Sequence, residues 1–347
     1  MTNSAIWRGF ASDNYAGAHP EVLAAIARVN QGHQVAYGDD ESTADLEAIV
    51  GRHFGDSARV WPVFNGTGAN VTALMTMSRR HEAVICTSTA HIHADEGGAP
   101  EKVGGLKLWT VQSPDGKLTP ELISQQAFDF GNVHRAQQSV VYLSQSTELG
   151  TVYSVAELRA ITDFSHGLGM KVFMDGARLS NAAASLGLPL RAFTTDAGID
   201  ALSLGLTKNG AIAAEAVVEL TPGALDGFEF TRKSAMQLAS KMRFVSSQHI
   251  AMLEADLWLQ NATHANAMAQ RLAAGLSAIP AVRITQSVDA NAVFAVLPPA
   301  ATAELQKRFR FYVWNHLTGE VRWMCAWDTT EADVDTFLEA IKSAVNP

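Results

Sequence analysis

Short apolar runs alternate along the first two thirds of the chain with segments whose apolar residues recur at helical spacing. Each run is short enough for a buried strand, and the helical segments between them provide crossover connections. This alternation predicts an α/β fold in which helices cover both faces of a mostly parallel sheet. The clearest predicted strands are AVIC (83–86), VVYLS (140–144), KVFMD (171–175) and IDALSLG (199–205).

Helical patterns mark the remaining organisation. The segment STADLEAIVGRHFG predicts an amphipathic helix that ends at Gly55, with one apolar face formed by Leu46, Ile49, Val50, His53 and Phe54. From Phe228 to Leu276 the chain contains no proline and predicts a long helix with at most one break, linking two domains. The strand-like runs NAVFAVLP, FRFYVW and EVRWMCAW then alternate with helical segments and predict a small C-terminal α/β unit.

Length and composition fit two ordered domains. The chain has 347 residues, of which 47% are hydrophobic and 18% charged, so it can bury a large core. We expect an N-terminal segment (1–20) that contributes to an active site, a large domain (21–255) and a small domain (256–347).

The net charge and the lack of recognisable targeting signals limit the binding partners and the compartment that we expect. A net charge of −9 gives no basic footprint for nucleic acid. Neither a signal peptide nor an apolar run long enough to span a membrane is present, and Cys86 and Cys325 lie far apart in apolar surroundings. We therefore expect a cytoplasmic protein that binds neither nucleic acid nor membranes.

Two charged residues stand where apolar runs end. Lys208 follows the run in GIDALSLGLTKNG, and Asp175 ends the run in KVFMDGARLSNA. A partly desolvated amine can condense with an aldehyde, and a carboxylate at a neighbouring strand end can pair with a protonated pyridine nitrogen. Together they indicate a pyridoxal phosphate site. Taken singly, Lys208 could extend its amine to solvent and Asp175 could cap a helix.

The segment VFNGTGANVTALM (63–75) passes from a predicted strand into a helix through Gly66, Thr67 and Gly68. Free backbone N–H groups at such a helix start bind phosphate. The alternative is an ordinary glycine-rich turn.

The segment STAHIHADEGGAPE (88–101) allows three interpretations. His91 and His93 on a strand, with Asp95 or Glu96, could form a zinc or iron site. Alternatively, His91 could stack on a planar cofactor and move protons near neutral pH. The third interpretation is a polar loop whose histidines are hydrogen-bonded.

Other polar residues are weaker candidates. In YGDDESTADLE, Tyr37 and Asp39 could lie at the mouth of a site or merely begin a helix. Arg178, Arg243 and Arg322 are candidate anion ligands because guanidinium groups bind carboxylate or phosphate bidentately.

The ordered set YGDD, NGTGAN, STAHIHADEGG, MDGAR and GLTKNG resembles the threonine aldolase family of fold-type I pyridoxal phosphate enzymes. The likeness spans most of the chain and is closest to the low-specificity and phenylserine-cleaving aldolases. It implies a small-molecule amino acid substrate and a homodimer or homotetramer with shared active sites.

The resemblance also implies individual roles. Lys208 would form the Schiff base with pyridoxal 5'-phosphate, Asp175 would pair with the pyridine, and His91 would stack on the ring. The remaining implied ligands are Gly66, Thr67, Gly68 and, across a subunit boundary, Arg243 for the phosphate, and Ser12, Arg178 and Arg322, with Tyr37 nearby, for the substrate.

One departure from the family pattern concerns the residue that accepts the β-hydroxyl proton. Many threonine aldolases carry a second histidine in an NTHNG-like stretch, where this chain has QSTELG (145–150) and therefore Glu148. The base thus stays open between His91 and Glu148.

The resulting hypothesis is retro-aldol cleavage of threonine, allo-threonine or phenylserine to glycine and an aldehyde. The alternatives are β-elimination, transamination or racemisation with the same cofactor, a metal-dependent hydrolase using residues 91–96, or a cofactor-binding protein without turnover.

Overall fold

A computed structural model describes residues 8–345 of the protein. Within that range the strands form a seven-stranded sheet and a four-stranded sheet. The strands of the larger sheet are Arg59–Val63 (β1), Glu82–Thr87 (β2), Lys107–Val111 (β3), Gln137–Ser144 (β4), Lys171–Gly176 (β5), Ala201–Gly205 (β6) and Glu215–Glu219 (β7).

The larger sheet has the order β1-β7-β6-β5-β4-β2-β3. Only β7 runs antiparallel to its neighbours, β1 and β6, whereas the other pairs are parallel. The four apolar runs predicted as strands fall on β2, β4, β5 and β6, so the predicted α/β fold with a mostly parallel sheet is confirmed. The carboxyl ends of β1, β4, β5 and β6 therefore meet at one edge of the sheet, which is where ligands bind in such folds.

Helices cover the sheet. They are Pro20–Val29 (α1), Glu41–Phe54 (α2), Gly66–Met77 (α3), His91–Ala94 (α4), Ala99–Lys102 (α5), Pro120–Ser124 (α6), Val155–Gly167 (α7), Leu179–Leu186 (α8), Phe228–Ser234 (α9), Arg243–Leu253 (α10), Leu257–Leu276 (α11), Pro299–Gln306 (α12) and Glu331–Val345 (α13). Helix α2 confirms the predicted amphipathic helix. Asp40 caps its start, Gly55 ends it with a φ of 110°, and Leu46, Ile49, Val50 and Phe54 are buried.

The prediction of at most one break between Phe228 and Leu276 is wrong. The segment forms three helices, α9, α10 and α11, separated by residues 235–242 and 254–256. Met236 and Asp256 have φ values of 63° and 53°. This left-handed conformation is incompatible with continuing a right-handed helix. Neither residue is the glycine that usually marks such a position.

A second core lies around the smaller sheet. Its strands are Arg283–Ile284 (β8), Ala292–Val296 (β9), Tyr312–Asn315 (β10) and Glu320–Met324 (β11), all antiparallel in the order β10-β11-β9-β8. Phe10 stacks on Phe337 of α13 with ring centroids 4.3 Å apart. The carbonyl of Phe10 also accepts a hydrogen bond from the backbone N–H of Met324 at 2.8 Å. The start of the described chain thus packs with the C-terminal elements, and the domain boundaries near residues 20 and 255 stay a prediction.

Two further observations concern the cysteines and the helices. Cys86 and Cys325 are both buried and unpaired. Across residues 8–345, no helix combines the length and the apolar composition that a membrane span requires.

His249 is a buried titratable group in the middle of α10. Its Nδ1 lies 3.2 Å from the carbonyl of Val245, and its Nε2 is buried without a hydrogen-bond partner in the described chain. Burial lowers the pKa of His249 to about 4, because a charged imidazolium cannot be hydrated there.

We expect the protein to lose stability as the pH falls from about 6.5 towards about 4, because the unfolded chain binds a proton at His249 that the folded chain excludes. The loss attributable to this residue is on the order of 3 kcal/mol. Urea unfolding of wild type and His249→Leu at pH 7 and pH 5 measures the part of this loss that falls between those pH values, about 2 kcal/mol, with the exposed His134→Asn as control. An equal pH dependence in wild type and His249→Leu would contradict the assignment.

Candidate active site

Two connected cavities lie at the sheet edge where the strand ends meet. An inner cavity of about 50 Å³ is lined by residues that include Asp175 and Glu215. An outer cavity of about 610 Å³ opens from it towards the smaller sheet. Four residues line both: His91, Glu148, Arg178 and Lys208.

Lys208 stands at the centre of this arrangement. It lies on the single helical turn Thr207–Asn209 that follows β6, where the Asn209 side chain donates to the carbonyl of Trp258 at 2.7 Å. The Lys208 amine makes no hydrogen bond or ion pair with any residue between 8 and 345. Burial and the nearby guanidinium of Arg178 lower its pKa. The site therefore favours the neutral, nucleophilic amine.

Asp175 ends β5 and shares the inner cavity with Lys208, as the sequence predicted. Its Oδ2 accepts hydrogen bonds from Tyr142 at 2.6 Å and from the Asn70 amide at 2.7 Å, and its Oδ1 accepts one from the Ala177 N–H at 2.9 Å. Burial alone would raise the pKa of Asp175, but His91, these donors and Lys208 hold it below its usual value. The carboxylate thus stays ionised inside the protein.

The glycine-rich segment forms the expected strand-to-helix turn between β1 and α3. Asn65 caps the helix by accepting the Gly68 N–H at 2.7 Å, so that donor is already used. Gly66 and Thr67 line the inner cavity. Their N–H groups lie in the first turn, which leaves them available to an anion. Gly68 does not line the cavity; a Cβ on it would lie 2.3 Å from the side chain of Gln237.

His91 lines both cavities. The interpretation of its segment as a metal site on a strand is wrong, because the segment does not form a strand. Residues 91–94 form the short helix α4. Side chains two positions apart on a helix diverge, so that His91 lines both cavities and His93 is exposed. In the described chain, no group of three or more His, Cys, Asp or Glu residues is arranged to hold a metal ion.

Glu148 lies beside His91 and is held in place by two donors. Its Oε1 accepts hydrogen bonds from the Ser144 hydroxyl at 2.6 Å and from the His91 backbone N–H at 2.8 Å. Burial raises the pKa of Glu148.

The two arginines expected to bind a carboxylate both lie at the outer cavity, with Ser12. Arg178 forms a bidentate ion pair with the buried Asp13, at 2.7 and 3.0 Å. Arg322 lies 4.4 Å from the ring centroid of Trp314, and its Nε is buried without a partner among the described residues. Burial and the charge of Arg178 lower the pKa of Arg322 to about 10. Two cations thus face the same space with unused donors.

Besides Gly68, two of the predicted residues lie outside the walls of these cavities. Tyr37 is half exposed, with Lys233 Nζ 4.9 Å from its ring centroid. Arg243 donates to the carbonyls of Gln31 and Gly32 at 3.4 Å on the surface.

The sequence analysis did not identify several residues that contact the predicted site residues or line the inner cavity. Asp13, Asn70 and Tyr142 each hold a predicted residue, but they lie far from it along the chain. Glu215 was also missed: it lines the inner cavity at the start of β7, and burial raises its pKa to about 7. The only available signal was a charged residue at the start of the apolar run EAVVE.

Comparison with known proteins identifies the family of this chain. The family model of the beta-eliminating lyases matches residues 9–298. A low specificity L-threonine aldolase of a Pseudomonas species (strain NCIMB 10558) is 42% identical over 97% of this chain and 98% of its own length. A second one, from Pseudomonas aeruginosa, is also 42% identical, over 92% and 93%. A structure of Leishmania major threonine aldolase superposes with a TM-score of 0.92 at 31% identity, covering 97% of this chain and 99% of that one.

The chain therefore belongs to the beta-eliminating lyase family and, within it, to the threonine aldolases. It is a carbon–carbon lyase, and the resemblance noted in the sequence is confirmed.

Asp13 balances the charge of Arg178, and its loss leaves that guanidinium buried without a counter-ion. We expect Asp13→Asn to destabilise the fold by about 3 kcal/mol. The matched control is Asp196→Asn, whose partner Arg191 pairs at a similar distance of 2.8 Å but on the surface, and which should cost less than about 1 kcal/mol. Urea unfolding at pH 7 measures both; equal effects would show that Asp13 is not needed to balance Arg178.

Proposed function

We propose that the enzyme uses pyridoxal 5'-phosphate to cleave β-hydroxy-α-amino acids such as threonine, allo-threonine and phenylserine into glycine and an aldehyde. The observation that carries this proposal is the unpaired Lys208 amine, which shares one cavity with an ionised carboxylate and a free helix N-terminus. These are the three groups that an aldehyde, a pyridinium nitrogen and a phosphate require.

The residues present fit that cofactor. Asp175 would pair with the pyridine nitrogen, Gly66 and Thr67 would bind the phosphate, His91 would contact the ring, and Lys208 would bind the aldehyde carbon. When bound, the cofactor supplies an aldehyde that captures amines and a ring that accepts the electron pair of a bond broken at Cα.

Arg178 and Arg322 are proposed to hold the substrate carboxylate, with Ser12. Both residues line the outer cavity, and the bidentate pair with Asp13 fixes the guanidinium group of Arg178. A carboxylate fixed by two guanidinium groups restrains rotation about the bond to Cα, which sets the direction of the Cα–Cβ bond.

His91 is the group we propose to take the β-hydroxyl proton, directly or through a water molecule, with Glu148 as the alternative. Glu148 is the second choice because its Oε1 already accepts two hydrogen bonds and because burial raises its pKa, which favours the protonated form that cannot accept a proton. In the step, the O–H bond breaks and its proton moves to His91, the aldehyde C=O forms, and the Cα–Cβ bond breaks. The electron pair stays with Cα, which then takes a proton and leaves as glycine.

The outer cavity favours substrates with a large β-substituent. Tyr312 and Trp314 line it, and the hydroxyl groups of Tyr312 and Tyr15 lie 3.1 Å apart. Aromatic walls bind an aryl group more tightly than a methyl group, which supports phenylserine as a substrate. Another bond cleavage at Cα, such as β-elimination or transamination, would instead give a keto acid.

Product analysis tests the proposed reaction. We expect purified enzyme to release equimolar glycine and aldehyde from the three substrates, with the highest kcat/KM for phenylserine. Lys208→Ala should lose the absorbance of the bound cofactor near the visible edge and at least about 10³-fold in kcat, because among residues 8–345 no other amine lines the inner cavity. The exposed Lys102→Ala is the control. Keto acid as product, or unchanged activity in Lys208→Ala, would refute the proposal.

We propose further that the active site is shared between two copies of the chain in a homodimer or homotetramer, within the cytoplasm. Arg243 lies outside the cavities of its own subunit. Met236, on the same surface stretch, is 77% exposed and Phe230 is 74% exposed. Such a surface supports contact with a second copy, which would bring the partner's Arg243 to the phosphate.

Subunit complementation tests this assembly. Lys208→Ala and Arg243→Ala should each be inactive alone. Coexpressed, they should recover about a quarter of wild-type activity, because half of the dimers are mixed and each mixed dimer contains one intact site. The mass in solution gives the oligomeric state. Absence of recovery in mixed dimers would place Arg243 outside the partner's site.

A further inference from the structure

Glu96 is a buried carboxyl group that the proposed reaction does not use. Its side chain is fully shielded from solvent, although it lies in a loop between the short helices α4 and α5. Gly97 and Gly98 follow it with φ values of 61° and 75°. Glycine adopts this left-handed conformation without strain, which lets the chain turn between Glu96 and α5.

Glu96 contacts two residues of the active site through one oxygen. Its Oε1 lies 3.0 Å from Nδ1 of His91 and accepts the Asn70 amide at 2.9 Å. The same Asn70 nitrogen donates to Asp175 at 2.7 Å. The Asn70 side chain therefore links Asp175, the carboxylate proposed to pair with the pyridine, to Glu96, the carboxylate beside His91.

The two nitrogens of His91 have different surroundings. Burial raises the pKa of Glu96, and the hydrogen bonds from His91 and Asn70 oppose that rise. When Glu96 is ionised it has no proton to donate, so that Nδ1 carries the proton in this pair. Nε2 makes no hydrogen bond to a residue of the described chain, and the ring is 35% exposed in the wall of the outer cavity. The free nitrogen is thus the one available to a substrate.

We propose that Glu96 is a positioning residue for His91: it holds the Nδ1–H tautomer, presents Nε2 to the β-hydroxyl group, and balances the imidazolium that forms when Nε2 takes the proton. This inference rests on the proposed aldol cleavage with His91 as base. A carboxylate behind an imidazole has the same two tasks in hydrolytic triads, where it fixes the tautomer and stabilises the cation.

The charges around His91 agree with this role. The hydrogen bond from Glu96 is the largest cause of the raised pKa of His91, and Asp175 adds to it. Lys208 lowers the pKa of His91, and Glu148 faces its backbone N–H. Glu96 is thus the carboxylate with the strongest effect on this imidazole.

Glu96→Gln separates charge from position, because glutamine can still accept from Nδ1 and from Asn70. We expect the pKa of His91, followed by NMR titration of the purified full-length enzyme, to fall by about one unit. The acid limb of the kcat/KM profile for phenylserine should shift to lower pH by the same amount, and kcat should fall about tenfold with KM changed less than twofold. His91→Gln assigns the resonance, and the exposed Glu101→Gln is the matched control.

Two further arms keep the test decisive. Glu96→Asp retains the charge at a longer distance from Nδ1, so the pKa of His91 should shift less than in Glu96→Gln. This variant replaces Glu96→Gln if glutamine prevents folding. In the His91→Gln background, Glu96→Gln should have no further effect on kcat. An unchanged His91 pKa in both Glu96 variants would overturn the proposal. So would a further tenfold fall in kcat when Glu96→Gln is added to His91→Gln. If wild type releases no glycine and aldehyde, the proposed function fails, whereas the NMR titration still reports on the pair.

Discussion

The site depends on keeping one amine buried without giving it an ion pair. Lys208 has carboxylates and a guanidinium around it, yet each of those groups is held by another partner. Asp13 neutralises Arg178, and Tyr142 and Asn70 bind Asp175. Because these groups are held by other partners, none of them pairs directly with the amine. Burial and the charge of Arg178 favour the neutral form of Lys208, and the nearby carboxylates oppose this. Most of the polar contacts described above hold the charged groups around Lys208 and so keep its amine unpaired.

Sheet topology determines which residues meet there. Parallel strands bring the ends of β4, β5 and β6 to one edge, and the single antiparallel strand β7 begins at that same edge. Residues from distant parts of the sequence, such as Gly66 after β1 and Glu215 at the start of β7, are thereby placed around one cavity. The glycine-rich turn after β1 and the turn that carries Lys208 are far apart in the sequence, and the sheet brings both to the inner cavity.

The parts of the molecule that were predictable are those encoded by local patterns. Apolar runs predicted β2, β4, β5 and β6, and charges at the ends of two of them predicted Lys208 and Asp175. The contacts of Glu96, Asn70 and Asp13 could not be predicted, because each joins segments whose spacing is set only by the fold. The helix breaks at Met236 and Asp256 were also missed, since left-handed backbone at a non-glycine residue leaves no compositional signal.

The first described residues connect the second core to the site. Phe10 packs on Phe337, and three residues later Asp13 pairs with Arg178 at the mouth of the cavity. Only two residues separate Phe10 from Asp13, so a displacement of one is passed directly to the other. Truncating the protein after its first dozen residues would therefore remove an aromatic anchor and leave the counter-ion of Arg178 on an untethered end, damaging two distant regions at once.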